Sequence, residues 1–222
     1  MMKKYLFKKA VILGGSKGLG ASIYKNLKRL NIREVISCSS KDIDTSDLKS
    51  VDSFCKKHPI IDIIVLNTGG PPNLKFKDIT NEIWIKYFKQ LFLGYVNILS
   101  KIKINNHGYV FNISTALIKE PSDNLIISTS LRIAFTSLLK SLTHELSKKN
   151  VSIISLAPGP FETNRIKNLV GNIKKFEKTL PLKKIGNPDD IGKFVKYVIE
   201  NKVQYISGST IYFDGTTNKS FL

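Results

Sequence analysis

Residues 11–20, VILGGSKGLG, constrain this chain more than any other stretch. The apolar run Ala10, Val11, Ile12 and Leu13 goes straight into Gly14-Gly15. Beyond it Leu19, Ile23, Leu27 and Leu30 fall at helical spacing. A buried strand therefore turns into a helix through a bend made of glycines. Gly14 permits the tight turn, Gly18 lets a phosphate approach the backbone, and Gly20 lets the helix sit close on the strand. The helix amino terminus offers unpaired N–H groups and the positive end of its dipole to an anion. Gly14, Ser16, Lys17, Gly18, Leu19 and Gly20 are the expected phosphate cradle. The same glycines argue against a signal peptide: the basic start, residues 1–9, leads into an apolar run too short for a signal core. A cytoplasmic protein is expected.

The rest of the chain alternates apolar strands with amphipathic helices. Strands are predicted over 9–13, 34–38, 60–66, 109–113, 151–156 and 209–213. Helices are predicted over 18–30, 46–57, 80–103, 125–149 and 188–201. Asp47 falls in the first turn of the second helix, Thr80 is placed as the N-cap of the third, and Pro188 opens the last. The fold class this implies is α/β: a Rossmann-type, doubly wound parallel sheet in three layers, α/β/α, as a single domain over 1–222. Ligands then belong at the carboxyl ends of the strands.

With Lys+Arg at 35 against Asp+Glu at 17, the net charge is +18. The arginines are Arg29, Arg33, Arg132 and Arg165; the lysines are scattered among Ile and Asn residues. That is a compositional bias rather than a designed patch, and no nucleic-acid partner is expected. No apolar run reaches membrane length, so no membrane partner is expected either. Cys38 and Cys55 are read as reduced, partly buried thiols without metal-ligand spacing, and no metal site is expected.

Several motifs now line up. The G-x-x-x-G-x-G spacing is followed by Leu66-Asn67-Thr68-Gly69 after a buried strand. Then come Val110-Phe111-Asn112-Ile113-Ser114-Thr115, Leu156-Ala157-Pro158-Gly159 with Thr163, Pro188-Asp189-Asp190-Ile191 and Asp214-Gly215. In this order they resemble the short-chain dehydrogenase/reductase family across essentially the whole chain. The resemblance implies a nicotinamide dinucleotide held by the glycine loop, Asn67, Gly69, Pro158, Gly159 and Thr163. Which dinucleotide is a matter of the second strand's end, where an acid holds the ribose of NAD. Here it reads Cys38-Ser39-Ser40-Lys41, hydroxyls and a lysine that suit a 2′-phosphate, and Lys17 adds a further cation. NADP is the expected cofactor, with NAD as the alternative. Asp44-Thr45-Ser46-Asp47 resembles the segment that touches adenine, and the helix that usually precedes that segment is missing.

The family transfers hydride between the nicotinamide and a small carbonyl or alcohol. A tyrosine moves the proton, a lysine four residues later tunes it and binds the ribose, a serine holds the substrate oxygen, and an asparagine orders a relay water. Aligned by the motifs, those positions are Ser128, Arg132, Thr115 and Leu91, so none of the four is retained. Thr115 keeps a hydroxyl able to hold an oxyanion. Arg132 keeps charge in a forked geometry and is expected to touch both substrate site and cofactor. Ser128 is a far weaker acid than a phenol. Some relatives resembling 3-oxoacyl-carrier-protein reductases share a serine here and a run like Gly69-Gly70-Pro71-Pro72. The expected activity is an NADP(H)-dependent oxidoreductase with a non-standard site; the alternative is a dinucleotide-binding protein with little catalysis, a sensor or partner subunit. His144 lies too far along its helix to meet Ser128. Residues 167–184 resemble the substrate lid, whose lysines suit an acidic or phosphopantetheine-linked substrate. The helices around 83–102 and 125–146 carry more apolar surface than one sheet covers, which points to a homodimer or homotetramer.

Overall fold

Six parallel strands in the order β2-β1-β3-β4-β5-β6 form the sheet of this computed structural model, which describes residues 6–220. Residues 1–5, most of the basic start, and 221–222 lie outside the described residues. The strands are β1 (Phe7–Leu13), β2 (Ile32–Cys38), β3 (Ile60–Leu66), β4 (Lys103–Ile113), β5 (Ser152–Pro158) and β6 (Thr210–Phe213). Growth of the sheet reverses after β2, because β3 returns to the other side of β1. The crevice of such a sheet opens where the direction switches, between β1 and β3.

Alternate side chains of each strand point to opposite layers. Val11 and Leu13 meet Tyr95, Ile98, Phe135 and Leu139 on one face. These come from α4 (Gly94–Lys101) and α5 (Ile126–Ser147), which cover that face with α2 (Leu48–Lys57). Ala10 and Ile12 meet Ile23, Leu27, Ile191 and Val195 on the other, from α1 (Gly18–Leu27) and α8 (Pro188–Glu200). The helices α1 and α8 approach closely at Gly192, where a Cβ would lie 2.4 Å from Asn26 Nδ2. Asp62 interrupts the apolar run of β3 for a structural reason. Its Oδ2 accepts from the backbone N–H groups of Lys8 (2.9 Å) and Lys9 (2.7 Å), and its Oδ1 accepts from Asn105 Nδ2 (2.8 Å). No helix of the described residues is long and apolar enough to cross a membrane.

Two predicted elements need correction. The helix expected over 80–103 is α3 (Asn81–Phe88), a π-helical turn (Lys89–Leu93) and α4. Thr80 is the N-cap as expected, its hydroxyl accepting from Ile83 N–H at 3.4 Å. The last strand-forming residues of that stretch belong to β4, which begins at Lys103 rather than 109. Lys103 N–H donates to Pro59 O (2.8 Å). A register shift near Ile61 and the left-handed His107 (φ 62°) then interrupt the pairing. That irregularity puts the polar run Asn105-Asn106-His107-Gly108 inside a strand and hides its period. Asp47 is the N-cap of α2, accepting from Lys49 N–H (2.9 Å), instead of a first-turn residue. Other boundaries move by a turn or less. Between β2 and α2 there is no helix, as expected, so β2 is a bare edge strand. The stretch 167–184 holds most of α6 (Asn164–Val170) and all of α7 (Ile173–Glu177).

Candidate active site

The turn after β1 is built from backbone freedom. Gly14 and Gly18 adopt φ of 58° and 54°, a region that side-chain-bearing residues rarely enter. A Cβ on Gly20 would lie 2.2 Å from Gly14 O and 2.7 Å from Asn67 Nδ2. Asn67 closes the turn from the end of β3: its Nδ2 donates to Leu13 O and Gly14 O, both at 3.2 Å. Its side chain thus shapes the cradle, which the sequence reading gave to ligand contact. Every longer helix is not treated alike at its start. Asp47, Thr80 and Asn187 cap α2, α3 and α8 with side chains; α1, which follows extended Lys17, has no side-chain cap, and neither do α4 and α5. Ser16 and Lys17 are exposed there, and Leu19 packs into the core beneath. Uncapped N–H groups beside a left-handed glycine suit a dinucleotide's phosphates.

The loops beyond β3 and β5 frame the opening. A Cβ on Gly69 would meet nothing, so this backbone faces open space. Pro158 ends β5, and Gly159 N–H donates to Phe213 O (2.9 Å). The Thr163 hydroxyl caps α6, accepting from Ile166 N–H (3.4 Å), and also donates to Phe161 O (3.3 Å). Its methyl carbon is the atom nearest the position of a Cβ on Gly18, at 3.2 Å. The start of α6 therefore rests against the glycine loop.

The end of β2 itself carries no acid, and Asp42 lies in the turn that follows. The chain turns back so that Asp42 Oδ2 accepts from Ser39 N–H (2.7 Å) and Ser39 Oγ (2.8 Å). These two bonds hold the Asp42 carboxyl below the usual range. The Ser39 hydroxyl is spent on that carboxylate, leaving exposed Ser40 and Lys41 as the open polar groups. Asp44 serves its own turn, its Oδ1 accepting from Ser46 N–H (2.9 Å) and Oγ (2.7 Å).

Ser128 and Arg132 are one helical turn apart on α5 and meet. Arg132 Nε donates to Ser128 Oγ (3.3 Å) and Nη1 to Ile113 O (2.5 Å), the last residue of β4. Ser128 is only 7% exposed. Burial pushes the Arg132 guanidinium below its ordinary range; the Arg165 charge adds to this and Tyr95 opposes it. Thr115 follows β4 and accepts from Leu117 N–H (3.4 Å) to start the short 3₁₀ turn Ala116–Ile118. Among the described residues no hydrogen bond joins Thr115 to Ser128. Leu91 is buried against Ile127 and Leu131. The residue before it, Gln90, lies in the π-helical turn and ties it to the loop after β3: Nε2 donates to Gly69 O (2.8 Å) and to Thr68 Oγ1 (3.3 Å). His144 is exposed near the far end of α5.

Comparison with known proteins places this geometry. The family model described as enoyl-(acyl carrier protein) reductase matches residues 21–218. The chain belongs to the short-chain dehydrogenase/reductase family. A relative from Chlamydia trachomatis, 3-oxoacyl-[acyl-carrier-protein] reductase FabG, is 25% identical, covering 94% of this chain and 96% of its own. The NADPH-dependent reductase BacG of Bacillus subtilis is 23% identical, covering 95% and 98%. Among solved structures, the fold matches that of YwfH, an NADPH-dependent reductase involved in bacilysin biosynthesis. That match has TM-score 0.82 and 20% identity, over 96% and 99% of the two chains. It also matches a small-chain dehydrogenase in complex with NADPH, with TM-score 0.81 and 24% identity over 94% and 97%. Like these reductases, the chain is an oxidoreductase of the short-chain type by family, and its six-stranded sheet is the family's α/β fold.

Proposed function

We propose that this short-chain reductase uses NADP(H) to move a hydride to or from a small carbonyl or alcohol substrate, with a rearranged proton path. The observation that carries the reading is the uncapped start of α1 at the glycine turn, on the same sheet edge as the Ser128–Arg132 pair. Glycine-loop N–H groups would take the phosphates; Ser40, Lys41 and Lys17 would face the 2′-phosphate; the backbone around Gly69, Pro158 and Gly159 would border the nicotinamide. The bound cofactor supplies or accepts the hydride. Arg132, anchored on Ile113 O, offers its remaining donors to the ribose. Because Arg132 donates to Ser128 Oγ, that hydroxyl keeps its own proton to point at a substrate oxygen. An aliphatic hydroxyl remains a poor acid near neutrality, so turnover on unactivated ketones should be slow. Buried Leu91 favours the second reading, a dinucleotide-binding chain with little catalysis, since it can order no relay water.

Fluorescence titration with NADPH and NADH tests the cofactor: NADPH should bind more tightly, and equal or tighter NADH binding would refute the preference. Assembly into a homodimer or homotetramer is part of this reading. Ile85, Phe88 and Ile133 stand exposed on α3, at its end and on α5. Burying such a patch between copies removes apolar surface from water. Sedimentation velocity at micromolar concentration should show the oligomer; a monomer would count against it.

A further inference from the structure

Arginine is scarce in this lysine-rich chain, yet Arg132 and Arg165 both face the carboxyl edge of the sheet. Arg165 sits in the first turn of α6, after β5. It reaches across to the loop after β3, its Nη1 donating to Gly70 O (3.1 Å) and its Nη2 to Pro71 O (2.7 Å). Between those two strands lies β4, whose last carbonyl holds Arg132. The guanidinium has a made place: a Cβ on Gly70 would lie 2.9 Å from Arg165 Cζ and Nη2.

Among the described residues the hydrogen-bond partners of the two guanidinium groups are neutral, namely three backbone carbonyls and the Ser128 hydroxyl. Among the described residues neither forms an ion pair with a carboxylate; the four ion pairs involve lysines. Arg132 is anchored at the end of β4, the strand between the two whose loops Arg165 joins, and the Arg165 charge adds to burial in depressing the Arg132 guanidinium. Like charges held together without a counter-ion are relieved by an anion between them. A planar fork bonds a carboxylate with two charge-assisted hydrogen bonds, each stronger than a bond to a neutral carbonyl.

We propose that Arg165, backed by Arg132, is an anion subsite over the cleft, and that the substrate is a small carbonyl compound carrying a carboxylate. The substrate half of this rests on the oxidoreductase reading above; the subsite half does not. Arg165 would exchange the Gly70 and Pro71 carbonyls for the carboxylate, which would also loosen the tie between α6 and the loop. A cofactor phosphate offers the same anionic chemistry, and the test separates the two.

The experiment is calorimetric titration of malonate and of its dimethyl ester into the full chain, both free and saturated with NADPH. The variants are Arg165→Gln and Arg165→Lys, and NADPH affinity is measured by fluorescence for each. Malonate should bind the wild type with or without cofactor, and the ester at least about tenfold more weakly. Arg165→Gln should lose roughly tenfold or more in malonate affinity, the scale of one charge-assisted bond. Arg165→Lys should recover part of it, and NADPH affinity should stay within about twofold. The proposal is overturned if malonate and ester bind alike, if neither binds, or if Arg165→Gln leaves malonate binding unchanged. It is equally overturned if that variant weakens NADPH instead, since the arginine would then serve the cofactor phosphates. Failure of NADPH to bind any variant, with malonate binding selectively, would sink the oxidoreductase reading and leave the subsite standing.

Discussion

The two halves of the cleft differ in what carries their function. The glycine turn at β1 and α1 works through backbone: left-handed glycines, an uncapped helix start and an asparagine that holds carbonyls. The α5 side works through side chains: Arg132 donates to Ser128 Oγ and to Ile113 O, and Leu91 is buried against Ile127 and Leu131. Backbone geometry tolerates almost no substitution, because a Cβ meets atoms that cannot move. Side-chain chemistry can be exchanged without touching the fold, since a serine and an arginine fill a helix as well as a tyrosine and a lysine. The match to the family over 21–218 therefore speaks for the backbone half more directly than for the side-chain half.

The largest effect should come from closing the backbone side. Gly20→Ala puts a methyl 2.2 Å from Gly14 O. Overpacking of this kind costs about 2–3 kcal/mol, a fall in Tm of roughly 5–10 °C for a chain of this size. NADPH binding should be lost at temperatures where the variant is still folded; calorimetry and fluorescence titration check both. Unchanged cofactor affinity would mean that the turn is not the phosphate cradle, and the contrast between the halves would collapse.

Restoring the side-chain half should have the next largest effect. Ser128 is buried and Arg132 leans on it, so a tyrosine needs the shorter lysine beside it. Ser128→Tyr combined with Arg132→Lys should raise NADPH consumption on short 3-oxoacyl thioesters by about a hundredfold or more, the scale of a general acid. Wild-type turnover at ordinary rates, on the order of 10 per second, would show that another group supplies the proton. Thr115 and Ser130 would then be the next residues to replace.

The smallest effect probes the seam between the halves' logics, where a side chain acts on the cofactor pocket. Asp42→Asn removes a negative charge beside the expected 2′-phosphate position and loosens its hold on Ser39. NADPH should bind about two- to fivefold more tightly, the scale of an exposed charge contact, with NADH almost unchanged. Ser39 holds the Asp42 carboxyl below the usual range, so it stays ionised well below neutrality. The gain should therefore be flat between pH 7 and 8, fall as the 2′-phosphate dianion takes up a proton at about pH 6, and shrink with added salt. A gain of equal size for both cofactors would place Asp42 away from the 2′ position.

Much of this molecule was legible in the residues alone. The glycine turn, the alternation of strands and helices and the absent helix after β2 all follow from local spacing, because backbone sterics and burial are written residue by residue. The Ser128–Arg132 pair was legible too, since residues four apart on a helix share a face. Other features depended on contacts between distant segments. Gln90 reaches Gly69 from within a π-helical turn, β4 starts early only because Lys103 meets Pro59 and Ile60, and Arg165 crosses from one strand's loop to another's. Local sequence specifies which groups a segment carries and which way it curls. Where two loops at the sheet edge come to lie against each other is decided by the packing of the whole, and that is where Arg165 found its place.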